Sequence, residues 1–130
     1  MKIVKKPWGE ERWFTDNKMY MGKVLIIYAH QRGSFHYHRL KHETMYVFEG
    51  DLLLISDLHD DPITLPPGSC LVIPPKTQHS LGAGYQRVVL FEASTSHPED
   101  SVRVHDFYGR ECNARRLNTK LSGGDYCVGI

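Results

Sequence analysis

The stretch Gly33–Gly50 reads GSFHYHRLKHETMYVFEG, and it decides the fold. His36 and His38 stand two positions apart, so both side chains point to the same face of a β-strand. Glu43 follows His38 at an odd step, and a continuous strand would put its carboxylate on the opposite face. We therefore predict a turn or bulge at residues 39–41 that brings Glu43 back to the side of the histidines.

Two imidazoles and a carboxylate on converging strands are ligands that suit Fe, Mn, Ni, Co or Zn. His79, shortly after the proline pair at 74–75, supplies a fourth ligand from another predicted strand. A single pair of histidines in a strand is more often a solvated face, so the prediction depends on the whole set. We predict that His36, His38, Glu43 and His79 bind one divalent transition ion.

The other histidines fit no ligand position. His42 has Arg39 and Lys41 beside it, a pattern that indicates an exposed turn. The remaining four are predicted in loops or on the surface, namely His30, His59, His97 and His105.

Short strand-forming segments alternate with turn residues along the chain, and no segment has the apolar period of an amphipathic helix. Residues 16–18, Asp-Asn-Lys, are predicted to turn between two strands, and Gly50-Asp51 is predicted to form a two-residue hairpin turn. Many short, closely spaced strands predict an all-β sandwich or barrel. We place the barrel between about Glu10 and Ser94.

Length and composition restrict the function. The chain has 130 residues, which predicts one domain, and its 16 basic against 15 acidic residues give no basic excess for nucleic acid or a membrane surface. The start, MKIVKKPWGEERW, lacks the apolar core of a signal peptide, and no apolar run is long enough to span a membrane, so we expect a cytoplasmic protein. Three cysteines without a CxxC pair predict reduced thiols, and Cys70, inside SCLVI, is predicted to be buried.

The two histidine segments together resemble the two motifs of the cupin superfamily. In the first motif, His36-x-His38 is followed after four residues by Glu43 and after six more by Gly50. The second motif matches at Gly68, Pro74 and His79. Turn positions deviate, since His30 stands in place of the leading glycine, and Lys76 and Ala83 in place of a glycine and an asparagine. The resemblance implies an all-β, double-stranded β-helix, or jelly-roll barrel, with the ligand positions intact.

The flanks resemble the cupin domain of type II mannose-6-phosphate isomerases, a domain often fused to a mannose-1-phosphate guanylyltransferase. The segments KKPWGEERWF and YMGKVLII, which carries Lys23, are similar to that family's opening, and FEASTSHPEDSVRVHDFYGR is similar to its ending. The likeness covers about residues 5–110, and His36 stands where the family usually has glutamine. We therefore assign residues 1–110 to one cupin domain and residues 111–130 to a tail that packs on the barrel or on a partner subunit.

This resemblance implies aldose–ketose isomerisation of a sugar phosphate, with the metal as Lewis acid. Glu43, Lys23 and Lys76 are the candidate catalytic residues, and Arg103 and Arg110 are the candidate phosphate-binding residues. A polar-tail arginine is also commonly a surface ion-pair residue. The same ligand set serves metal-dependent dioxygenases, and a sugar- or sugar-nucleotide-binding module without catalysis is a third alternative. Small cupins are often dimers, so we expect a homodimer.

Overall fold

The computed structural model describes residues 1–110; the predicted tail 111–130, with Cys112 and Cys127, lies outside the described residues. Within the described range the chain forms strands and loops, and no helix there has the length and apolar character needed to span a membrane. The strands are β1 Lys2–Lys6, β2 Gly9–Asp16, β3 Tyr20–Ile27, β4 Phe35–His38, β5 Glu43–Glu49, β6 Leu52–Ser56, β7 Ile63–Leu65, β8 Cys70–Ile73, β9 His79–Ala83, β10 Val88–Thr95 and β11 Ser101–His105.

Two antiparallel sheets face each other. One has six strands in the order β1-β2-β3-β10-β5-β8, and the other has five in the order β11-β4-β9-β6-β7. Strands that are far apart in the chain are neighbours in both sheets, as expected for the predicted double-stranded β-helix. The all-β, jelly-roll prediction is confirmed.

The apolar core fills the space between the sheets. On β5 the buried residues alternate with exposed ones, so Met45 and Val47 point inward on the same face as Glu43. Each fully buried Val, Leu, Ile or Met side chain stabilises the fold by about 1.5–3 kcal/mol. The core comprises Trp8, Leu25, Ile27, Met45, Val47, Leu52, Leu54, Leu71, Ile73, Leu81, Ala83, Val88 and Leu90.

The two predicted turns have different outcomes. Strands β2 and β3 pair across the Asp-Asn-Lys turn, where the Asn17 side-chain oxygen accepts the backbone N–H of Met19 at 2.8 Å. In contrast, β5 and β6 lie in different sheets, so the prediction of a hairpin at Gly50-Asp51 is wrong. Gly50 has φ +76°, and a Cβ there would lie 2.2 Å from the Arg87 carbonyl oxygen. This tight crossing between sheets requires glycine.

Two further predictions about the barrel need correction. Cys70 is exposed, because β8 buries alternate residues and Leu71 and Ile73 occupy its inward positions. The barrel also extends beyond the predicted limits: β1 pairs with β2, and β11 pairs with β4. In β11 only Val102 and Val104 are apolar, and they alternate with polar residues, so the sequence signal for this strand is weak.

Candidate metal centre and cavity

Three histidines converge at one end of the space between the sheets. His36 and His38 project from β4, and His79 begins β9, where it is the direct register partner of His36. Each can offer a ligand atom so that all three atoms lie within 4.8 Å of one another. The structure therefore brings together the three imidazoles that the sequence predicts as ligands.

The Nδ1 atoms of His36 and His79 each lie within hydrogen-bond distance of a backbone carbonyl oxygen. His36 Nδ1 is 2.9 Å from the Ser34 carbonyl oxygen, and His79 Nδ1 is 2.9 Å from the Thr77 carbonyl oxygen. A carbonyl only accepts, so both Nδ1 atoms carry the proton and both Nε2 atoms keep a free lone pair. Burial lowers the pKa of His36 well below its usual value and also lowers the pKa of His79, which keeps both rings neutral.

His38 is oriented by Asp100, which lies just before β11. Its Nδ1 donates to Asp100 Oδ1 at 3.0 Å, and Asp100 Oδ2 accepts the backbone N–H groups of Leu40 and Lys41, each at 2.8 Å. One carboxylate thus fixes both the imidazole and the turn that leads to Glu43. Such partners commonly set the tautomer and the orientation of a metal-binding histidine.

Glu43 provides the test of whether these residues fit a metal ion. It is 2% exposed, its Oε1 is 3.2 Å from His38 Nε2, and its Oε2 is 3.6 Å from His79 Nε2. Oε2 is buried without a hydrogen-bond partner, and it faces the lone pair of a neutral imidazole. A cation between these acceptors removes the repulsion, so the donor set of three imidazoles and one carboxylate fits a divalent transition ion.

Lys41 is the largest departure from the sequence-based site. The prediction of an exposed turn is wrong for this residue, which is 3% exposed, with Nζ 2.9 Å from Glu43 Oε1 and 3.2 Å from Glu92 Oε2. Burial lowers the pKa of Lys41, but the charges of Glu92 and Glu43 outweigh burial and raise it above the usual range. His42, the next residue, is exposed as predicted.

The two buried carboxylates differ in their proton affinity. Burial would raise the pKa of Glu43, yet the charge of Lys41 helps to hold it well below the usual range. For Glu92, burial and the nearby charge of Glu43 raise the pKa despite the opposing effect of Lys41. The pair therefore joins an ionised carboxylate to one that binds a proton more readily.

A cavity of about 360 Å³ opens above the histidines. Trp8 and Trp13 contribute its aromatic wall, and Lys23 and Glu11 lie beside Trp13. Lys23 is buried, with Nζ 3.4 Å from Glu11 Oε2 and 4.4 Å from the centre of the Trp13 ring. The volume is within the range of small-molecule sites.

Basic side chains gather in the lining of the same cavity. Arg103 pairs in register with His36, and Arg110 is held by Asp106 through contacts of 3.1 and 2.7 Å. Burial lowers the pKa of Lys6, and the charges of Lys23, Arg110 and Arg103 lower it further against the opposing effect of Glu11. This mutual repulsion favours a bound anion.

Lys76 does not join the cavity. It is exposed, has φ 65° in the loop between β8 and β9, and is not among the lining residues. Its backbone N–H donates to the carbonyl oxygen of His38, a contact of 2.6 Å. The position supports a role in holding β4 and gives no support to contact with a ligand above the histidines.

Several lining residues were not predicted from the sequence. Lys6, Glu11 and Trp13 lie in segments that contain no metal-binding motif, and Lys41 occupies a variable position inside the first motif, between His38 and Glu43. Strand alternation gives a signal for Glu11 and Trp13, which are two residues apart and therefore lie on one face of β2. Lys23 is the register partner of Trp13 on β3, so it lies on the same face. Nothing in the local sequence indicates that Lys41 turns inward.

Together, the two sheets and the histidines on β4 and β9 define a protein of the cupin fold. No protein-family model matches the chain, and no curated protein matches it. Solved structures of cupins are similar to the fold of this chain.

KdgF from Halomonas sp. has 17% sequence identity and a TM-score of 0.67, over 77% of this chain and 92% of that one. An RmlC-like cupin from Shewanella frigidimarina NCIMB 400 has 18% identity and a TM-score of 0.65, over 76% and 86%. A sugar phosphate isomerase of the cupin superfamily from Silicibacter pomeroyi DSS-3 has 19% identity and a TM-score of 0.59, over 68% and 60%. At these identities the likeness shows the fold alone.

Proposed function

We propose that this protein is a metal-dependent aldose–ketose isomerase that acts on a sugar phosphate such as mannose 6-phosphate. The observation that carries the proposal is the unpaired Oε2 of Glu43 among three imidazoles, at the base of a cavity lined with basic side chains. The fold shared with a protein described as a sugar phosphate isomerase is compatible with it.

The proposed ligands of one divalent transition ion are His36, His38, Glu43 and His79. When bound, the ion supplies a Lewis acid that stabilises the negative charge developing on the sugar oxygens. The protein keeps the ligand lone pairs available through the acceptors of each Nδ1 atom. It also excludes water from the base of the site, since Glu43 and His79 are almost completely buried.

Isomerisation moves one proton between C1 and C2, so the site needs a carboxylate that can take it and return it. We propose Glu43 for this role beside its role as ligand, and Glu92 as the alternative base. Glu92 lines the cavity and has a raised pKa, which suits a group that accepts and then releases a proton. Lys41 contacts both carboxylates and stabilises the ionised form of either.

The phosphate is proposed to bind at Arg103 and Arg110, with Lys6 beside them. Guanidinium groups suit phosphate because they offer two parallel N–H donors. Arg110 already uses its Nε and Nη2 on Asp106, which fixes the direction of its remaining donors. Lys23, held by Glu11 beneath the Trp13 ring, is proposed to donate to a sugar oxygen.

The proposal predicts deuterium incorporation from D₂O at C1 or C2 of a phosphorylated aldose or ketose, because the abstracted proton can exchange before it returns. Proton NMR of mannose 6-phosphate and fructose 6-phosphate with metal-loaded protein measures this exchange. Chelation should abolish it, and a divalent ion should restore it. Arg103→Ala should mainly raise KM, since it removes binding that is common to ground and transition states.

Two outcomes would favour other functions. Absence of exchange in metal-loaded protein across common pentose and hexose phosphates would favour a binding module without catalysis. Oxygen consumption with an organic substrate would favour the dioxygenase. Anaerobic exchange would exclude the dioxygenase as the source of the activity.

We also propose a homodimer formed through the outer face of the six-stranded sheet. Tyr46, Phe48 and Phe91 form an aromatic cluster there. The Phe91 ring centre is 6.5 Å from that of Tyr46 and 5.1 Å from that of Phe48. The three residues are 42%, 57% and 38% exposed, in sequence order. Contiguous exposed apolar side chains of this kind mark interaction surfaces, and two-fold pairing of identical faces is the commonest assembly.

Phe48→Glu is expected to shift the protein from dimer to monomer, because it places one charge of each copy in the apolar contact. Sedimentation velocity over a range of protein concentrations measures the change. Leu58→Glu, the same kind of apolar-to-charged change at an exposed position in the loop between β6 and β7, should leave the dimer intact. A monomeric wild-type protein at high micromolar concentration would exclude this interface.

A further inference from the structure

A second cavity, of about 550 Å³, lies on the outer face of the five-stranded sheet. Phe35 and Ser80 line it from β4 and β9, and both point away from the neighbouring histidines of the metal centre because adjacent strand residues alternate faces. Residues of the loop at 57–62 also line it. Nothing in the proposed isomerase uses this cavity, whose size suits a small molecule.

Arg32 is held flat at the edge of this cavity. A Cβ at Gly82 would lie 3.2 Å from the Arg32 Cβ and 3.8 Å from its Nε, so the glycine leaves the space that the arginine occupies. On the other side, the Phe107 ring centre is 5.0 Å from the guanidinium carbon. These contacts restrict the position of the guanidinium group, although its Nε and Nη2 atoms form no hydrogen bond.

That edge lacks a partner. Nε and Nη2 of Arg32 are both buried, and neither has a hydrogen-bond partner. These two nitrogens form the side of a guanidinium group that binds a carboxylate through two parallel hydrogen bonds. A buried donor pair of this kind is costly unless something satisfies it, so it indicates a bound group with two acceptor oxygens.

The lining of this cavity also contains acidic side chains. Asp57, Asp60 and Asp61 line the cavity, and within residues 1–110 none of them has a side-chain ion pair. A simple anion in this cavity would share it with three carboxylates. A simple cation would leave the Arg32 edge unsatisfied. A ligand that carries both charges satisfies both kinds of side chain.

We propose that this cavity binds a small zwitterion, such as a free amino acid. Its carboxylate accepts from Nε and Nη2 of Arg32, and its ammonium group faces the aspartates of residues 57–61. Nε and Nη2 of Arg32 are closed to solvent without a ligand. Phe107 is 47% exposed and its ring centre lies 5.0 Å from the guanidinium carbon, so a shift of this ring is part of the proposal, as the movement that opens the two nitrogens to the cavity. The site is independent of the metal centre and of the proposed isomerase.

The test is a titration followed by NMR chemical shifts and calorimetry, with glycine, L-alanine and L-glutamate as probes. Acetate, ethylammonium and inorganic phosphate are the matched probes that carry a single kind of charge. At least one amino acid should bind about tenfold more tightly than any of these three. Arg32→Lys should weaken that binding about tenfold or more, because lysine cannot form two parallel hydrogen bonds. His79→Ala should leave it unchanged.

Three results would overturn the proposal: no amino acid binds at millimolar concentration, acetate or phosphate binds as tightly, or Arg32→Lys binds like the wild type. Asp60→Asn combined with Asp61→Asn changes only exposed side chains and should also weaken binding, so it carries the test if the Arg32 variant does not fold. Arg32→Met should keep or raise Tm, because it removes an unpaired buried group. A lower Tm, with no amino acid bound by the wild type, would assign Arg32 a purely structural role.

Discussion

Replacing His79 by alanine is expected to weaken the binding of one divalent ion by at least about 100-fold. Removing only a residue that hydrogen-bonds to a ligand already weakens metal binding by up to about 100-fold, and removing the ligand itself should cost at least as much. His79 is 1% exposed, and its Nε2 faces the unpaired oxygen of Glu43. Competition with a chromophoric chelator measures the affinity. Metal analysis after dialysis gives the occupancy, which should be close to one ion per wild-type chain.

His42→Ala is the matched control, since the same change at an exposed histidine should leave the affinity unchanged. Added metal should raise the Tm of the wild type and of the control variant, because a ligand of the folded state alone stabilises it. It should not raise the Tm of the His79 variant. Full occupancy in a variant that combines His38→Ala with His79→Ala would refute the assigned site.

Lys41→Met is expected to lower the free energy of unfolding by about 3–5 kcal/mol, the usual cost of leaving buried charges without their partner. Glu43 and Glu92, both nearly inaccessible to water, would then face each other without the intervening ammonium group. Urea unfolding in the presence of a chelator measures the effect, so that metal binding does not compensate for the loss.

Two variants make this experiment specific. Lys76→Met is the same change at an exposed lysine and should alter stability by no more than about 0.5 kcal/mol. Adding Glu92→Gln to Lys41→Met should recover part of the loss, since it removes one of the two uncompensated charges. A loss below about 1 kcal/mol in the single variant would contradict the arrangement described here.

The sequence was sufficient for the features that depend on strand alternation. The shared face of His36 and His38, and the turn that restores Glu43 to it, follow from the period of a β-strand, and the structure has both. The same alternation predicts the fold class, because it recurs in many short segments. The four proposed ligands lie in two local segments, whereas the hydrogen bonds that orient them are shown only by the structure.

Features that depend on distant partners were missed. A lone lysine is costly to bury, so its exposure was the reasonable prediction for Lys41; Glu92, the partner that permits burial, is far away in the chain. The Gly50-Asp51 pair has the composition of a hairpin turn, but local sequence does not determine which sheet the next strand joins. Cys70 was misplaced because a run of apolar residues does not reveal which alternate positions face the core.

The pairing of β4 with β11 has a consequence for how the chain is made. His38 and Asp100 are 62 residues apart, and contacts between such distant positions form late because closing the loop costs entropy first. Both neighbours of β4 follow it in the chain, so during synthesis neither of its edges is paired until β9 is made, and one stays unpaired until β11 leaves the ribosome. Unpaired strand edges of this kind pair readily with other chains. Newly made protein therefore exposes an unpaired edge at the strand that carries His36 and His38.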